Sequence, residues 1–161
     1  MPLRETDEDR ENEEAIANLL LPCFDCDNFE KLPRYLSLDY VLCRDRDADT
    51  FVKVEFDDEE MRDAIVFVEA KFRWSIPFGY GEGYWIAMNK VTAAKQFIEM
   101  GYSSYLAVRF PNASVHMADF RDVIHRPRIV VDGRRDRKDE GSVEPLVVVP
   151  WNRFELIGYL Y

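Results

Sequence analysis

The chain has 161 residues, 47% of them hydrophobic and 14% aromatic, and a formal net charge of −10. That length points to one domain, and the apolar content is enough to bury a core, so neither a disordered chain nor a miniprotein that needs staples fits. No apolar run reaches the roughly 18 residues of a membrane helix, and the acidic balance excludes a basic nucleic-acid footprint over the whole surface.

The charge is uneven. Residues 1–63 carry 20 acidic and 8 basic side chains, whereas residues 64–161 carry 11 and 13. A local basic patch in the second part is therefore compatible with the composition. The start, Met1 to Glu14, is charged and mostly acidic, unlike a signal or transit peptide, so a cytoplasmic location is expected. Cys23 and Cys26 form a C-x-x-C, but zinc needs two further ligands. Cys43, His116 and His125 stand at no zinc-like spacing, and reduced thiols are the expectation.

Taken in chain order, residues 1–10 are expected to fray. Glu11 to Leu21 reads as a helix with an apolar stripe through Ala15 and Leu19, ended by Leu21-Pro22. Asp25 to Pro33 is loop or a short strand. Tyr35 to Arg44 has strand composition, with Leu36, Leu38, Tyr40 and Leu42 on one face and Ser37, Asp39, Val41 and Cys43 on the other. Asp45 to Asp63 is dominated by charge and reads as an acidic surface insertion (45–62) within a single domain spanning 1–161.

Ala64 to Lys71 (AIVFVEAK) has the near-continuous apolar pattern of a central strand. Phe72 to Tyr84 reads as a loop whose aromatic residues, with Trp85, are expected to serve in core and loop packing, base stacking on an exposed one staying open. Asn89 is the expected N-cap of a helix from Lys90 to Met100, closed by Gly101. Strands follow at Tyr102 to Phe110, Ser114 to Met117, Arg128 to Asp132 and Leu146 to Val149, and Trp151 to Tyr161 ends the chain with an apolar patch. The sum is an α/β domain: a central mixed sheet in αβββαβ order with a C-terminal β extension.

Three residues break the apolar pattern. Asp39 interrupts an apolar strand, and Glu69 and Lys71, two residues apart, share one face of a buried strand. Burying charges costs several kcal/mol each unless they are paired or metal-bound. If the two strands are neighbours, Asp39 and Glu69 meet across the ladder. Two carboxylates and a backbone carbonyl are hard oxygen donors suited to Mg²⁺ or Mn²⁺, and a lysine beside them suits phosphodiester hydrolysis.

SLDYVLCR followed by AIVFVEAKFR resembles the PD-(D/E)XK nuclease superfamily, whose signature is an acid on one strand and E-x-K on the next. Asp39 matches the first acid and Glu69-Ala70-Lys71 the second element, while Leu38 stands where the signature has proline. YWIAMNKVTAAKQF and SYLAVRF resemble the helix and strand that follow the motif in phage-type members. The resemblance spans roughly residues 11–120. It implies a restriction-endonuclease-like core, DNA as substrate, and Mg²⁺ or Mn²⁺ held by Asp39, Glu69 and the Ala70 carbonyl, with Lys71 catalytic. By the same resemblance Lys90 is a further catalytic candidate, and Glu14, or less directly Glu13, fills the place of an acid on the first helix.

Arg73, together with Arg134, Arg135 and Arg137, is a candidate for contact with the DNA backbone. Two other readings stay open on sequence: a catalytically degenerate member of the fold, and an acidic DNA-mimic or interaction protein whose negative face meets a protein partner.

Overall fold

The computed structural model describes residues 6–43, 65–133 and 143–161. The acidic insertion (45–62) and Arg134, Arg135 and Arg137 lie outside the described residues.

Helix α1 (Asp7–Leu20) starts four residues before the expected Glu11. Thr6 supplies the reason: its hydroxyl accepts the Asp9 N–H and the Asp9 carboxylate accepts the Thr6 N–H, both at 3.1 Å. This reciprocal cap satisfies two otherwise orphaned donors. Asp7, Glu8 and Asp9 also lie in the first turn, where the helix dipole favours acids. Residues 7–10 are thus helical rather than frayed. After Leu20 the chain tightens into a short 3₁₀ turn, Leu21–Phe24, with Pro22 inside it.

Strand β1 (Asn28–Lys31) pairs antiparallel with β2 (Tyr40–Cys43), and β2 pairs antiparallel with β3 (Ile65–Phe72), with Tyr40 opposite Val68. The strand expected over 35–44 is shorter than its composition suggests. Arg34–Leu36 forms a 3₁₀ turn and Ser37 takes a left-handed backbone, φ 65°. That kink shifts the phase of the alternation: Leu38 packs in the same cluster as Val41 and Cys43, while Tyr40 and Leu42 pack on the other side.

Strand β3 pairs parallel with β5 (Ser103–Arg109), Glu69 facing Leu106. Strands β6 (Ser114–Asp119) and β9 (Phe154–Tyr159) extend the sheet antiparallel, so the order is β1-β2-β3-β5-β6-β9. The C-terminal apolar patch is therefore an edge strand. A second sheet has the order β4-β8-β7, built from β4 (Gly83–Ala87), β7 (Arg128–Gly133) and β8 (Val143–Pro150).

Strand β4 runs directly into α2 (Met88–Glu99), whose N-cap is Ala87 without a side-chain bond. Asn89 is therefore not the cap; the helix begins where the β4 ladder ends, at Ala87 opposite Leu146. Its other end matches expectation. Gly101 (φ 97°) donates to Ile98 O at 2.9 Å and Tyr102 N donates to Phe97 O at 3.0 Å, a left-handed C-terminal closure.

The six-stranded sheet has an apolar layer on each face. On one, Ile16, Ala17 and Leu20 of α1 cover Tyr40, Leu42, Val66, Val68 and Ala70. On the other, Val91 and Ala94 of α2, with Tyr84, Ile86, Val147 and Val149 of the second sheet, cover Phe67, Leu106 and Val108. Among the described residues no helix is long and apolar enough to cross a membrane.

Candidate active site

Strand alternation sends Val66, Val68 and Ala70 toward α1, and Phe67, Glu69 and Lys71 toward α2. Phe67 is an ordinary core residue, stacked on Phe97 at 3.8 Å and edge-on to Tyr102 at 5.5 Å. Glu69, two residues on, is 0% exposed. A carboxylate there needs compensation, and two ammonium groups provide it. Lys71 Nζ lies 3.1 Å from Glu69 Oε1, and Lys90 Nζ lies 3.3 Å from Oε2. Neither oxygen receives a well-aligned hydrogen bond, so the pairing is one of charge at close range.

The competition shows in the proton affinities. The balance raises the Glu69 pKa to about 7: burial pushes it up most, Lys71 and Lys90 pull it down, and the Asp39 charge raises it further. For Lys71, burial works against the ammonium, but Glu69 and Asp39 outweigh it and hold the pKa above the usual lysine range. The site keeps its lysine proton and holds its buried acid near the point of ionisation.

Asp39 stands where the β2–β3 ladder ends. Its N–H donates to Val68 O at 3.0 Å and its carbonyl accepts from Leu32 N at 2.8 Å. Its side chain then takes over the ladder's role, Oδ2 accepting the Ala70 N–H at 2.9 Å. This fixes the carboxylate beside the Glu69 strand. The Ala70 carbonyl projects from the same strand edge as its N–H, as paired strands require.

Lys90 sits in the first turn of α2 with its side chain only 22% exposed. Besides Glu69, its ammonium reaches the Ser37 carbonyl at 2.6 Å. One side chain thereby ties α2 to the E-x-K strand and to the turn that delivers Asp39. The left-handed Ser37 is what turns that carbonyl-bearing segment toward the helix.

Asp39, Glu69, Lys71 and Lys90 are thus brought together. Glu14 is not: it belongs to α1, which packs on the opposite face of β3, and no group of three metal-binding side chains forms among the described residues. Glu13 pairs with Lys31 on β1 at 3.3 Å. Arg73 lies just past the site, its guanidinium 4.9 Å from the centroid of the Tyr84 ring and its N–H bonded to Arg109 O.

Tyr84, expected only as a packing aromatic, also stands beside the site. It is buried, burial pushes its hydroxyl pKa up, and its charge environment contains Arg73, Lys71 and Glu69. The signal for its strand is the alternation of Tyr84 and Ile86 against Trp85 and Ala87, four residues obscured by the adjoining glycines and aromatics.

The donor set fits a small hard cation. Glu69, the second oxygen of Asp39 and the Ala70 carbonyl are all oxygen donors, and the Glu69 oxygens are buried without aligned donors. Two carboxylates leave the rest of a shell to water and substrate, which is how Mg²⁺ is commonly held.

Residues 1–157 match the family described as "Phage putative PDDEXK endonuclease". Among solved structures, the chain is similar to Hjc, a Holliday junction resolvase from Archaeoglobus fulgidus, at 12% identity over 84% of this chain and 82% of that one, with a TM-score of 0.44. No curated protein matches the chain. The match over nearly its whole length places the chain in the phage PDDEXK endonuclease family.

Proposed function

We propose that the protein hydrolyses phosphodiester bonds of DNA with Mg²⁺ or Mn²⁺, at the site formed by Asp39, Glu69, Ala70, Lys71 and Lys90. The observation that carries this reading is Glu69: a fully buried carboxylate held between Lys90 and Lys71, on a strand that is apolar apart from Glu69 and Lys71 themselves. Such an arrangement weakens a fold and calls for a function.

Asp39, Glu69 and the Ala70 carbonyl would hold the cation, which supplies Lewis-acid polarisation of the phosphoryl group and a more acidic water. Lys71 keeps its proton, so its role is to orient the attacking water and to neutralise charge developing on the phosphoryl oxygens. Lys90 positions Glu69 and, through Ser37, the turn carrying Asp39. Arg73, Arg134, Arg135 and Arg137 are proposed contacts to flanking phosphates.

The test is cleavage of plasmid, linear duplex, single-stranded and branched DNA with Mg²⁺ or Mn²⁺. Wild type is expected to cut at least one substrate, and Glu69→Gln and Lys71→Ala to lose activity by about 10²-fold or more while staying folded. Absence of cleavage by wild type on every substrate overturns the reading.

A further inference from the structure

We propose that the groove beside the E-x-K strand receives an unpaired base of the strand being cut, so that the substrate is DNA with a single-stranded segment at the cleavage point. This rests on the nuclease reading above and adds the substrate class to it.

The groove encloses about 810 Å³ between the exit of β3 and strand β4. Three large aromatics stand on it: Trp74 is 65% exposed, Tyr80 70% and Trp85 42%. A single exposed aromatic needs no explanation, but several around one groove mark a binding surface.

The groove is built rather than left over. Its loop is tied down by Phe78, which stacks on His116 at 3.9 Å with the rings 9° apart and meets Trp151 edge-on at 4.8 Å. The Trp151 indole N–H lies 3.2 Å from both the Tyr80 and Gly81 carbonyls. At Gly83 an added Cβ would run into the Val149 carbonyl oxygen, so β4, which carries Trp85, lies close against β8. The same loop that packs Phe78, 37% exposed, against His116 and Trp151 therefore holds Trp74 and Tyr80 outward.

Continuity with the catalytic residues identifies the occupant. Arg73 and Tyr84 line the groove; Arg73 follows Lys71 by two residues, and its guanidinium stands 4.9 Å from the centroid of the Tyr84 ring. A strand whose phosphate sits at Glu69 and Lys71 thus has its neighbouring nucleotide at the groove mouth. Aromatic walls bind the faces of bases, which stack with little sequence preference. In a duplex those faces are already stacked and paired, so only an unpaired base gains from this surface.

The test measures binding separately from cleavage. Full-length Glu69→Gln protein is titrated with Mg²⁺ present against a fluorescent oligothymidylate, the same oligonucleotide with abasic sugars at its centre, and a blunt duplex. The proposal expects abasic substitution to weaken binding by about tenfold or more. Trp74→Leu with Tyr80→Leu should weaken oligothymidylate to the same extent, without weakening the abasic strand or the duplex further. Trp74→Phe with Tyr80→Phe, which keep the ring faces, should restore most of the affinity and control for folding.

Equal binding of the abasic and intact strands overturns the proposal, as does failure of oligothymidylate to bind. A change in oligomeric state on Leu substitution, with oligonucleotide affinity unchanged, also overturns it and makes the groove an interface between copies. Wild-type cleavage with indifferent abasic binding sinks the groove alone. Base-dependent binding without cleavage sinks the nuclease reading alone.

Discussion

Strand β3 serves two regions of the molecule with alternate residues. Val66, Val68 and Ala70 meet Ile16, Ala17 and Leu20 of α1 in a closed apolar layer. Phe67, Glu69 and Lys71 look the other way, and after Phe67 that face turns from core into charge. The apolar face fixes the strand, and the fixed strand holds a carboxylate where it would not otherwise stay. A site that must keep its acid within a fraction of an ångström of its partners is best built on an element anchored from behind.

The largest effect should come from putting charge on the closed face. Val68→Asp moves a carboxylate one residue back, into a layer where it has no lysine. Loss of several kcal/mol is expected, enough to prevent folding. Thermal or denaturant unfolding checks this. A folded Val68→Asp protein with near-wild-type stability would erase the distinction between the two faces.

Glu69→Gln is expected to act in the opposite direction on stability while abolishing cleavage. The sign follows from the proton affinity. In the folded state Glu69 has a pKa near 7, against an ordinary value of 4.5. A raised carboxyl pKa means the folded form binds the proton more tightly. Its stabilising contribution is full below about 4.5, falls as pH rises, and is lost above about 7. With chelator present, Glu69→Gln should therefore gain stability relative to wild type as pH rises through that window. The difference in unfolding free energy between the two proteins, followed from pH 4 to pH 9, isolates this group on the order of one pH unit. A flat difference would mean that the lysines fully compensate the burial.

How much of this was visible in the sequence depends on the length scale of each signal. Asp39, Glu69 and Lys71 were legible because strand alternation and the cost of buried charge act within a few residues. Lys90 was legible as a candidate through the family resemblance, but its bond to the Ser37 carbonyl required tertiary structure. The phase change at Leu38 was hidden because nothing in YLSLDY announces that Ser37 adopts a left-handed backbone. Strand β4 was hidden because its five residues follow two glycines, and its partner β8 lies about 60 residues away in sequence. The early start of α1 could have been read from Thr6 and Asp9, whose capping pattern was outweighed by the charge of that stretch.

Lys90→Met gives a smaller effect and separates positioning from charge. It leaves Lys71 as the remaining ammonium beside Glu69 and releases the Ser37 turn. Cleavage is expected to fall by about 10- to 100-fold. In the chelated protein the pH-dependent loss of stability should extend to higher pH, because one of the two charges lowering the Glu69 pKa is gone. A structural role alone would lower stability equally at all pH values and leave this window where it is.

The smallest effects should come from the far side of the sheet, and they sharpen the comparison most. Thr6→Ala removes the reciprocal cap of α1, at a cost of about 1 kcal/mol. The cap lies at the exposed end of a helix that touches β3 only through its apolar face. Stability should therefore drop while cleavage per folded molecule stays unchanged. Glu14→Ala should likewise preserve both cleavage and metal affinity, since Glu14 joins no three-ligand group among the described residues. Isothermal titration with Mn²⁺, run beside the cleavage assay, decides the point. A clear loss of Mn²⁺ affinity in Glu14→Ala would mean that α1 reaches around the end of the sheet when the cation binds. The apolar face would then be a working part of the site rather than its support.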